Sequence, residues 1–263
     1  MEKMEDNWQE KVVLISGAAG GAGHACAVKF LKAGANVMLA DINAAKLKED
    51  VEKLSTLSGN ARTVICDVKN IADCEKAIGA TINNFGRIDV LINAVGVWVE
   101  GQSEDSTEKE WDLVIDTNLK GTYFMCSRAI PELKKSRGCI INFSSDAGLM
   151  GNKEAAIYCA SKGGVTLLSK ALAIELAPFL VRVIPLCPCD MNTPMIKFQA
   201  ETYGSRNPEG YYKRLLGHYP QDGYARFIEP EEIAEIVFFL SSNKALAFTG
   251  APVSIDFGLT SGY

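Results

Sequence analysis

The chain has 263 residues, 48% of them hydrophobic and 22% charged, with a formal net charge of -5. This apolar content suits a large core and excludes a disordered chain. The negative charge argues against nucleic acid or an anionic membrane as a partner, because no overall positive field exists to attract them. No apolar run approaches the roughly 18 residues of a membrane span, and residues 1–10 lack the apolar centre of a signal peptide. We therefore expect a cytoplasmic protein.

The cysteines do not suggest a metal site. A chain of this size does not need disulfides to fold, no paired CxxC spacing occurs, and the two histidines, His24 and His218, stand alone. We expect no metal and free thiols in a reducing compartment. The eight cysteines are Cys26, Cys66, Cys74, Cys126, Cys139, Cys159, Cys187 and Cys189.

The elements in chain order alternate between short β-branched runs and longer amphipathic stretches, which is typical of βαβ units. Strands are predicted at 12–15, 36–40, 63–66, 88–92, 139–143, 181–186 and 253–255. Helices are predicted at 21–32, 44–57, 71–85, 108–133, 154–176 and 230–240. No linker interrupts this alternation. The pattern predicts an α/β fold with one Rossmann-type, doubly wound parallel sheet of about seven strands and helices on both faces. Residues 1–263 would form one domain with a polar tail at 1–10.

Residues 191–228 depart from the βα alternation and contain many tyrosines. An irregular stretch of this length within a compact domain is usually functional or mobile. We interpret it as a helical lid over a substrate. Its tyrosines, which could cover a flat ring system, are Tyr203, Tyr211, Tyr212, Tyr219 and Tyr224.

A glycine cluster follows the first predicted strand and opens a helix. Glycines permit a tight turn there and allow a pyrophosphate to approach backbone N–H groups at the helix start. The second strand ends in Asp41, 24 residues after Gly17, which is about where an acidic residue meets the adenosine ribose hydroxyls. The combination indicates a dinucleotide site. The glycine segment contributes Gly17, Gly21, Ala22 and Gly23.

Asp41 also selects between the two nicotinamide dinucleotides. Its carboxylate accepts hydrogen bonds from the free ribose hydroxyls of NAD and repels the 2′-phosphate of NADP. Ile42 follows it and Gly20 has no side chain, so no cation is available at these positions to receive a phosphate. We expect NAD. Asp41 could also cap the following helix, and the two roles are compatible.

Tyr158 and Lys162 lie near the start of a predicted helix and are four residues apart, so they share one helix face. A phenol titrates near pH 10, and an adjacent ammonium stabilises its phenolate form. The pair therefore suits proton transfer in alcohol/ketone interconversion. The alternative is an amphipathic helix whose lysine extends along an apolar surface.

From Lys11 to about Gly258 the chain resembles the short-chain dehydrogenases/reductases, specifically their compact single-domain branch. The segment from Ser16 to Gly23 looks like the family's TGxxxGIG loop, with Ser for Thr and Ala for Ile. Ser145 matches the catalytic serine, 13 residues before Tyr158. Further residues match the family's adenine-contacting motif, its NNAG motif, its catalytic asparagine and the segment after its sixth strand. In that order they are Asp67 and Val68, Asn93 and Gly96, Asn118, and Pro188 and Thr193.

The resemblance implies four catalytic roles. Tyr158 would exchange a proton with the substrate oxygen as hydride moves to or from the nicotinamide, and Ser145 would hydrogen-bond that oxygen. Lys162 would hold the nicotinamide ribose and bias Tyr158 toward phenolate, and Asn118 would anchor a water in the proton relay. Ser144 is expected instead to bond backbone at a strand end. The family is usually homotetrameric, so a homotetramer is expected.

Three positions depart from the family pattern. Ala94 and Val95 replace the second Asn and the Ala of NNAG, and Cys189 replaces the Gly of a Pro-Gly pair beside the nicotinamide. We expect Ala94 and Val95 to cost some local hydrogen bonding near the cofactor without abolishing its binding. Cys189 adds a side chain where the family usually has none.

The expected substrate is a small molecule with one reactive hydroxyl or ketone. The family's pocket positions carry mostly apolar side chains here, which suit a bulky cyclic alcohol such as a hydroxysteroid or bile acid. Alternatives are a 3-oxoacyl thioester reductase, a polyol or sugar dehydrogenase and, from another class, a catalytically silent NAD sensor. The predicted lining is Trp98, Leu149, Met150, Cys189 and Met195.

Overall fold

A computed structural model describes residues 7–261 and shows a seven-stranded, wholly parallel sheet between helices. The strand order is β3-β2-β1-β4-β5-β6-β7. This is the doubly wound arrangement that the alternating pattern predicts. The strands are β1 Val12–Ser16, β2 Asn36–Asp41, β3 Ala61–Ile65, β4 Val90–Asn93, β5 Cys139–Phe143, β6 Arg182–Pro188 and β7 Val253–Ile255.

Nine α-helices lie in the described range and cover both faces of the sheet or form the insertion after β6. Short 3₁₀ turns and one π-helical segment, Ile115–Lys120, supplement them. The helices are α1 Gly21–Lys32, α2 Ala44–Leu54, α3 Ile71–Phe85, α4 Glu108–Val114, α5 Gly121–Ser136, α6 Ala156–Leu176, α7 Pro194–Tyr203, α8 Pro208–Leu216 and α9 Pro230–Ser241.

Burial on both faces explains why the central strands are nearly continuous apolar runs. Alternate residues of β1 enter different cores: Val13 and Ile15 pack with residues of α1 and α9, whereas Leu14 packs with residues of α3, α5 and α6. The edge strand β3 is mostly exposed, with Val64 as its buried residue. The two cores fix the sheet and leave its carboxyl-terminal edge to the loops.

The largest difference from the predicted elements is at 108–133. This stretch is not one uniform helix: α4 passes into the π-helical segment and then into α5, which extends to Ser136. The hydrophobic period predicts that the region is helical, but it cannot register a local change from i→i+4 to i→i+5 hydrogen bonding. Asn118 lies within the π-helical segment, whose geometry determines where its side chain points.

Other boundaries shift by a few residues. The helix predicted at 154–176 begins at Ala156, after Glu154, which has a left-handed backbone with φ of 63°. Residues 1–6 of the predicted polar tail lie outside the described range. The next residues are not simply polar surface, because Trp8 is buried against Phe30 and Phe238.

The insertion predicted at 191–228 contains α7 and α8, and its two ends meet. Met191 and Ile228 form a parallel bridge, and the Ile228 N–H donates to the Asp190 carbonyl. The insertion therefore leaves and rejoins the domain at one place beside the end of β6.

Between residues 7 and 261, no helix combines the length and the apolar character that crossing a bilayer requires.

Candidate active site

The predicted site residues gather along the carboxyl-terminal edge of the sheet. The strand order reverses at β1, whose neighbours are β2 and β4, so the loops leaving β1 and β4 diverge to opposite faces. Ligands of open α/β sheets bind in the crevice that this divergence creates. The topology brings the glycine segment, the loop after β4 and the start of α6 to the same edge.

The glycine segment fits a dinucleotide pyrophosphate. Gly17 has φ of +76°, and a Cβ at Gly23 would lie 2.1 Å from the Gly17 carbonyl oxygen, so side chains are excluded at both positions. Gly20 is the N-cap of α1 and supplies no side-chain acceptor to the first turn. The helix start therefore keeps N–H donors and a positive dipole end for an anion.

Asp41 lies at the end of β2, beside this turn. Its carboxylate accepts from the Ala19 N–H at 3.0 Å and from the Asn43 N–H at 2.9 Å. These bonds fix the carboxylate next to the glycine turn. The cap of the following helix is Asn43, which accepts from Lys46 N, so the structure assigns the N-cap role to Asn43 rather than to Asp41.

Asp67 and Val68 follow β3 on the adenine side of the predicted site. The Asp67 carboxylate accepts from the Lys69 N–H at 3.0 Å, and Lys69 Nζ is 3.7 Å from it. Val68 is buried against Gly121, where a Cβ would lie 2.7 Å from its side chain. The loop after β3 is therefore held in place by its own turn and by the start of α5.

The Asn93 side chain lies in a buried polar network beneath the site. Its Oδ1 accepts from Ser16 Oγ at 3.0 Å, and its Nδ2 donates to Asn142 Oδ1 at 2.9 Å. The Asn142 amide in turn donates to Ser169 Oγ. Asn93 thus ties β4 to both neighbouring strands, and any contact with a cofactor falls to its backbone and to the loop that follows.

Asn118 holds that loop by both backbone groups of Val97. Its Oδ1 accepts from Val97 N at 2.8 Å, and its Nδ2 donates to the Val97 carbonyl at 3.0 Å and to Ser161 Oγ at 3.1 Å. Both amide hydrogens are used, and the side chain is fully buried. A water placed by Asn118 must therefore be bound by an acceptor oxygen of that residue.

Ser145 caps the 3₁₀ turn after β5. Its hydroxyl donates to Asp146 Oδ1 at 2.6 Å and accepts from the Ala147 N–H at 3.2 Å. Ser144 faces the interior, where its hydroxyl donates to the Lys162 carbonyl and contacts Thr166 Oγ1. The two adjacent serines therefore differ: Ser144 serves the backbone, and Ser145 faces the site beside a carboxylate.

Tyr158 and Lys162 are both buried on α6. Burial raises the pKa of Tyr158, and the charge of Asp146 raises it further. A hydrogen bond from Ser145 opposes both effects, and the charge of Asp190 adds a smaller increase. Burial lowers the pKa of Lys162 to about 8. Lys162 Nζ donates to the Phe143 carbonyl at 2.8 Å and lies 5.7 Å from the centre of the Tyr158 ring. A Cβ on Gly96 would lie 3.5 Å from this ammonium, so Gly96 lies beside Lys162.

Trp98 covers Tyr158. The two ring centres are 4.5 Å apart and inclined by 55°, and the indole Nε1 donates to Glu100. Leu149 and Met150 are about two-fifths exposed, at 40% and 39%, and Met195 reaches the neighbourhood of Gly96. Of the predicted pocket residues, Trp98 therefore contacts Tyr158 directly, and Met195 lies near Gly96.

Cys189 has a different character from the other pocket residues. The thiol is 5% exposed, and burial raises its pKa to about 12, against a smaller opposing contribution from a hydrogen bond with Tyr219. Asp190, the next residue, accepts from the Tyr219 hydroxyl at 3.0 Å, and burial raises its pKa to about 6. Burial and a raised pKa both disfavour reaction of this thiol with alkylating reagents.

The sequence reasoning missed the polar groups that surround the predicted residues. Asp146 and Asp190 place negative charge near Tyr158, and Glu100 contacts the lid. The tyrosines of the insertion also differ from the expected ring cover: Tyr211 and Tyr219 are buried hydrogen-bond donors, and Tyr224 is 90% exposed. The sequence does offer one signal for the two charges near Tyr158, because Asp146 directly follows Ser145 and Asp190 directly follows Cys189.

No group of three or more His, Cys, Asp or Glu side chains within residues 7–261 is arranged to hold a metal ion. All eight cysteines are free thiols.

Comparison with known proteins identifies the family. Residues 11–204 match the family described as short chain dehydrogenase. The chain belongs to the short-chain dehydrogenase/reductase family. Membership confirms the resemblance drawn from the glycine segment, Ser145, Tyr158 and Lys162, and the chain is accordingly an oxidoreductase with a nicotinamide dinucleotide cofactor.

Curated relatives in the short-chain dehydrogenase/reductase family match over almost the whole chain. A trans-4-hydroxycyclohexanecarboxylate dehydrogenase of Sinomonas cyclohexanicum is 36% identical, covering 100% of this chain and 97% of the relative. A meso-2,3-butanediol dehydrogenase of Serratia marcescens is 35% identical, covering 96% of each. A 3-oxoacyl-(acyl-carrier-protein) reductase of Thermotoga maritima is 34% identical, covering 95% and 97%.

Solved structures of the same family have the same fold. Levodione reductase superposes with a TM-score of 0.91 at 28% identity, over 97% of this chain and 99% of that one. A variant of actinorhodin polyketide ketoreductase, solved with NADPH, superposes with a TM-score of 0.89 at 29% identity, over 97% and 99%. The Rossmann-type parallel sheet is thereby confirmed.

Proposed function

We propose that this protein interconverts a cyclic secondary alcohol and its ketone with NAD(H) as the hydride carrier. The observation that carries the proposal is the convergence of Ser145, Tyr158 and Lys162 at the carboxyl-terminal edge of the sheet, beside Gly96 of the loop after β4. These groups suit proton transfer at an oxygen while a hydride moves.

Each side chain has one task at the substrate oxygen. Tyr158 O–H donates its proton to the ketone oxygen in reduction, or its phenolate accepts the alcohol proton in oxidation. Ser145 turns its hydroxyl from Asp146 toward the same oxygen and stabilises developing negative charge. The bound dinucleotide supplies or accepts the hydride. Lys162 holds the ribose, and its ammonium favours the phenolate.

Asp41 supports NAD rather than NADP. Its carboxylate is fixed beside the glycine turn by Ala19 and Asn43, and its chain neighbours Ala40 and Ile42 are uncharged. A 2′-phosphate at this position would meet an acidic group without a compensating cation in the adjacent sequence. NAD should therefore give a kcat/KM at least about ten-fold higher than NADP, since ten-fold corresponds to only about 1.4 kcal/mol.

The ring-shaped substrate is supported by the site lining and by the names of relatives. Trp98 packs against the Tyr158 ring, and Met195 approaches Gly96. Leu149 and Met150, which follow Ser145 in the chain, are partly exposed apolar side chains. Relatives include the trans-4-hydroxycyclohexanecarboxylate dehydrogenase and a cyclopentanol dehydrogenase from Comamonas that is 33% identical. A single ring is therefore the first choice, and a hydroxysteroid or bile acid is the larger member of the same class.

A substrate panel tests this proposal. Cyclopentanol, cyclohexanol, a hydroxysteroid, meso-2,3-butanediol and a 3-hydroxyacyl thioester are each incubated with NAD or NADP, and NADH or NADPH formation is followed by absorbance. Turnover of ring alcohols with NAD is expected. Turnover confined to the thioester would support the 3-oxoacyl reductase alternative, and NADH binding without turnover of any substrate would indicate a sensor.

Tyr158→Phe and Asp41→Ala are the companion variants. Tyr158→Phe removes the proton donor and keeps the ring beneath Trp98, so kcat should fall by about 100-fold or more while NADH affinity changes little. Asp41→Ala should narrow the preference for NAD. Retention of more than about a tenth of kcat by Tyr158→Phe would exclude Tyr158 as the acid/base.

The same proposal includes a homotetramer in a reducing compartment. Helix α6 exposes two large apolar side chains seven residues apart, Leu167 at 69% and Ile174 at 79%, which suits burial against another copy. Free thiols throughout the described chain support the cytoplasm as the compartment.

A further inference from the structure

Glu100 connects the lid to the side chain that covers the reactive tyrosine. It belongs to the loop after β4, and its side chain is only 12% exposed. Its Oε2 accepts from the Tyr211 hydroxyl at 2.6 Å and from Trp98 Nε1 at 3.2 Å. Its Oε1 lies 3.4 Å from the Arg214 guanidinium. One carboxylate therefore joins two residues of α8 to Trp98.

The lid side of this connection is well anchored. Tyr211 is 2% exposed, Arg214 lies 4.7 Å from the centre of its ring, and Gln199 of α7 is 3.5 Å from its hydroxyl. Glu100 contributes to raising the pKa of Tyr211, as expected when a phenol donates to a carboxylate. Both helices of the insertion thus meet at Tyr211.

On the side of the active site, the backbone of the loop after β4 is held at Val97 and at Gly101, which lie before and after Glu100. Val97 is held by Asn118, and the Gly101 N–H donates to the Glu154 carbonyl at 2.8 Å. Between these two points, the placement of Trp98 over Tyr158 depends on ring contact and on the bond from Nε1 to Glu100. A change at the lid that moves Glu100 therefore moves Trp98.

We propose that Glu100 is a positioning residue that transmits the closed position of α8 to Trp98, and so forms the substrate side of the Tyr158 site only when the lid is in place. This inference rests on the proposed function and deepens it. Removal of the Tyr211 hydroxyl frees the carboxylate to follow Arg214 toward solvent, and the indole then loses its acceptor. Because the side chain of Glu100 bonds to Trp98, Tyr211 and Arg214 and not to the glycine segment or Asp41, NADH affinity is expected to stay unchanged.

The test uses Trp98 as its own reporter. The chain has three tryptophans, so a Trp8→Phe/Trp111→Phe background leaves Trp98 as the sole emitter. In this background Glu100→Gln, Tyr211→Phe and their combination are compared by emission maximum and by acrylamide quenching. Tyr212→Phe, at a neighbouring tyrosine whose ring packs on Phe227, and Glu104→Gln, at an exposed position in the same loop, are the matched controls.

Tyr211→Phe is expected to shift Trp98 emission and increase its quenching, although the mutated residue lies on the lid. Combined with Glu100→Gln it should add nothing further, because the effect passes through Glu100. For a turned-over ring alcohol, each single variant should lower kcat/KM by about ten-fold, mainly through KM, with NADH affinity within about two-fold. Both controls should match the parent.

Unchanged Trp98 emission and quenching in Tyr211→Phe would overturn the proposal, as would additive effects in the double variant. Tyr211→Phe keeps the buried ring, so the test remains available if Glu100→Gln folds poorly. The fluorescence arm needs no substrate. A chain that turns over no member of the panel therefore refutes the proposed function without deciding the role of Glu100.

Discussion

At the residue scale, burial has the largest effect on the pKa values of Tyr158 and Lys162, and nearby carboxylates add to it at Tyr158. Asp146 and Asp190 both raise the pKa of Tyr158 beyond the effect of burial, while burial lowers the pKa of Lys162 to about 8. The protonated phenol that results is the form that donates to a ketone. In the proposed oxidation Tyr158 would act as the phenolate, and positive charge from Lys162 or from a bound oxidised nicotinamide would favour that form.

Asp146→Asn should move the acid limb of the kcat/KM profile for alcohol oxidation to lower pH, by about half a pH unit or more. The charge of Asp146 raises the pKa of Tyr158. Its removal therefore lowers that pKa, and the phenolate forms at lower pH. The amide oxygen of Asn can still accept from Ser145. Initial rates measured between pH 6 and pH 10 check the shift.

The control for this profile is Asp105→Asn, at an exposed position in the loop after β4, which should leave the limb in place. If the acid limb of the kcat/KM profile moved to higher pH in Asp146→Asn, or did not move, the electrostatic role of Asp146 would be contradicted.

At the element scale, the π-helical segment determines how the loop after β4 is held. Its Asn118 reaches across to both backbone groups of Val97 and to Ser161 of α6. A continuous α-helix over the same residues would rotate Asn118 relative to this loop. The local widening of the helix is consistent with the frequent occurrence of π-bulges at functional sites.

Asn118→Ala should destabilise the protein by about 1–3 kcal/mol, because the partly buried Val97 N–H and carbonyl lose their partners. It should also lower kcat/KM by about ten-fold or more, since the loop carrying Trp98 loses its anchor. Urea unfolding and steady-state kinetics measure the two effects. Asn83→Ala, at an exposed position of α3, should change neither. Hydrogen exchange near residue 97 that matches the parent would show that the loop is held by other contacts.

At the scale of the whole molecule, the exposed apolar face of α6 bears on assembly. Leu167 and Ile174 are the most exposed large hydrophobic residues of that helix, and they lie on one side of it two turns apart. Such a pair is disfavoured in water and stabilised by burial against another copy.

Leu167→Glu/Ile174→Glu should reduce the molar mass in solution from that of a tetramer to a smaller species, because four copies would each place two buried charges at the contact. Light scattering coupled to size exclusion measures this mass. Ile65→Glu, at an exposed position of the edge strand β3, is the matched control and should keep the parent mass. A monomeric parent would refute the assembly outright.

The sequence by itself determined the fold and the chemistry, for physical reasons that act locally. Buried parallel strands must be apolar on both faces, as in β1, and a pyrophosphate turn must lack Cβ at Gly17 and Gly23. Tyr158 and Lys162 lie one helical turn apart wherever the helix is placed. The apolar strands, the glycine turn and the Tyr158/Lys162 pair are all recognisable in the chain alone. Family membership confirmed the resemblance built on the glycine turn and the pair.

Only the tertiary structure decided what surrounds these groups. The contact between Glu100 and Tyr211 joins residues 111 positions apart, and the charges near Tyr158 come from loops after two different strands. The periodicity of hydrophobic residues along the chain does not predict such long-range contacts, because they depend on how the insertion folds back onto the sheet. For the same reason Tyr211 and Tyr219 of the lid are buried hydrogen-bond donors, whereas the sequence predicted a ring cover. Side-chain spacing along the chain determines which residues can share a face, and packing between distant segments determines which of them meet.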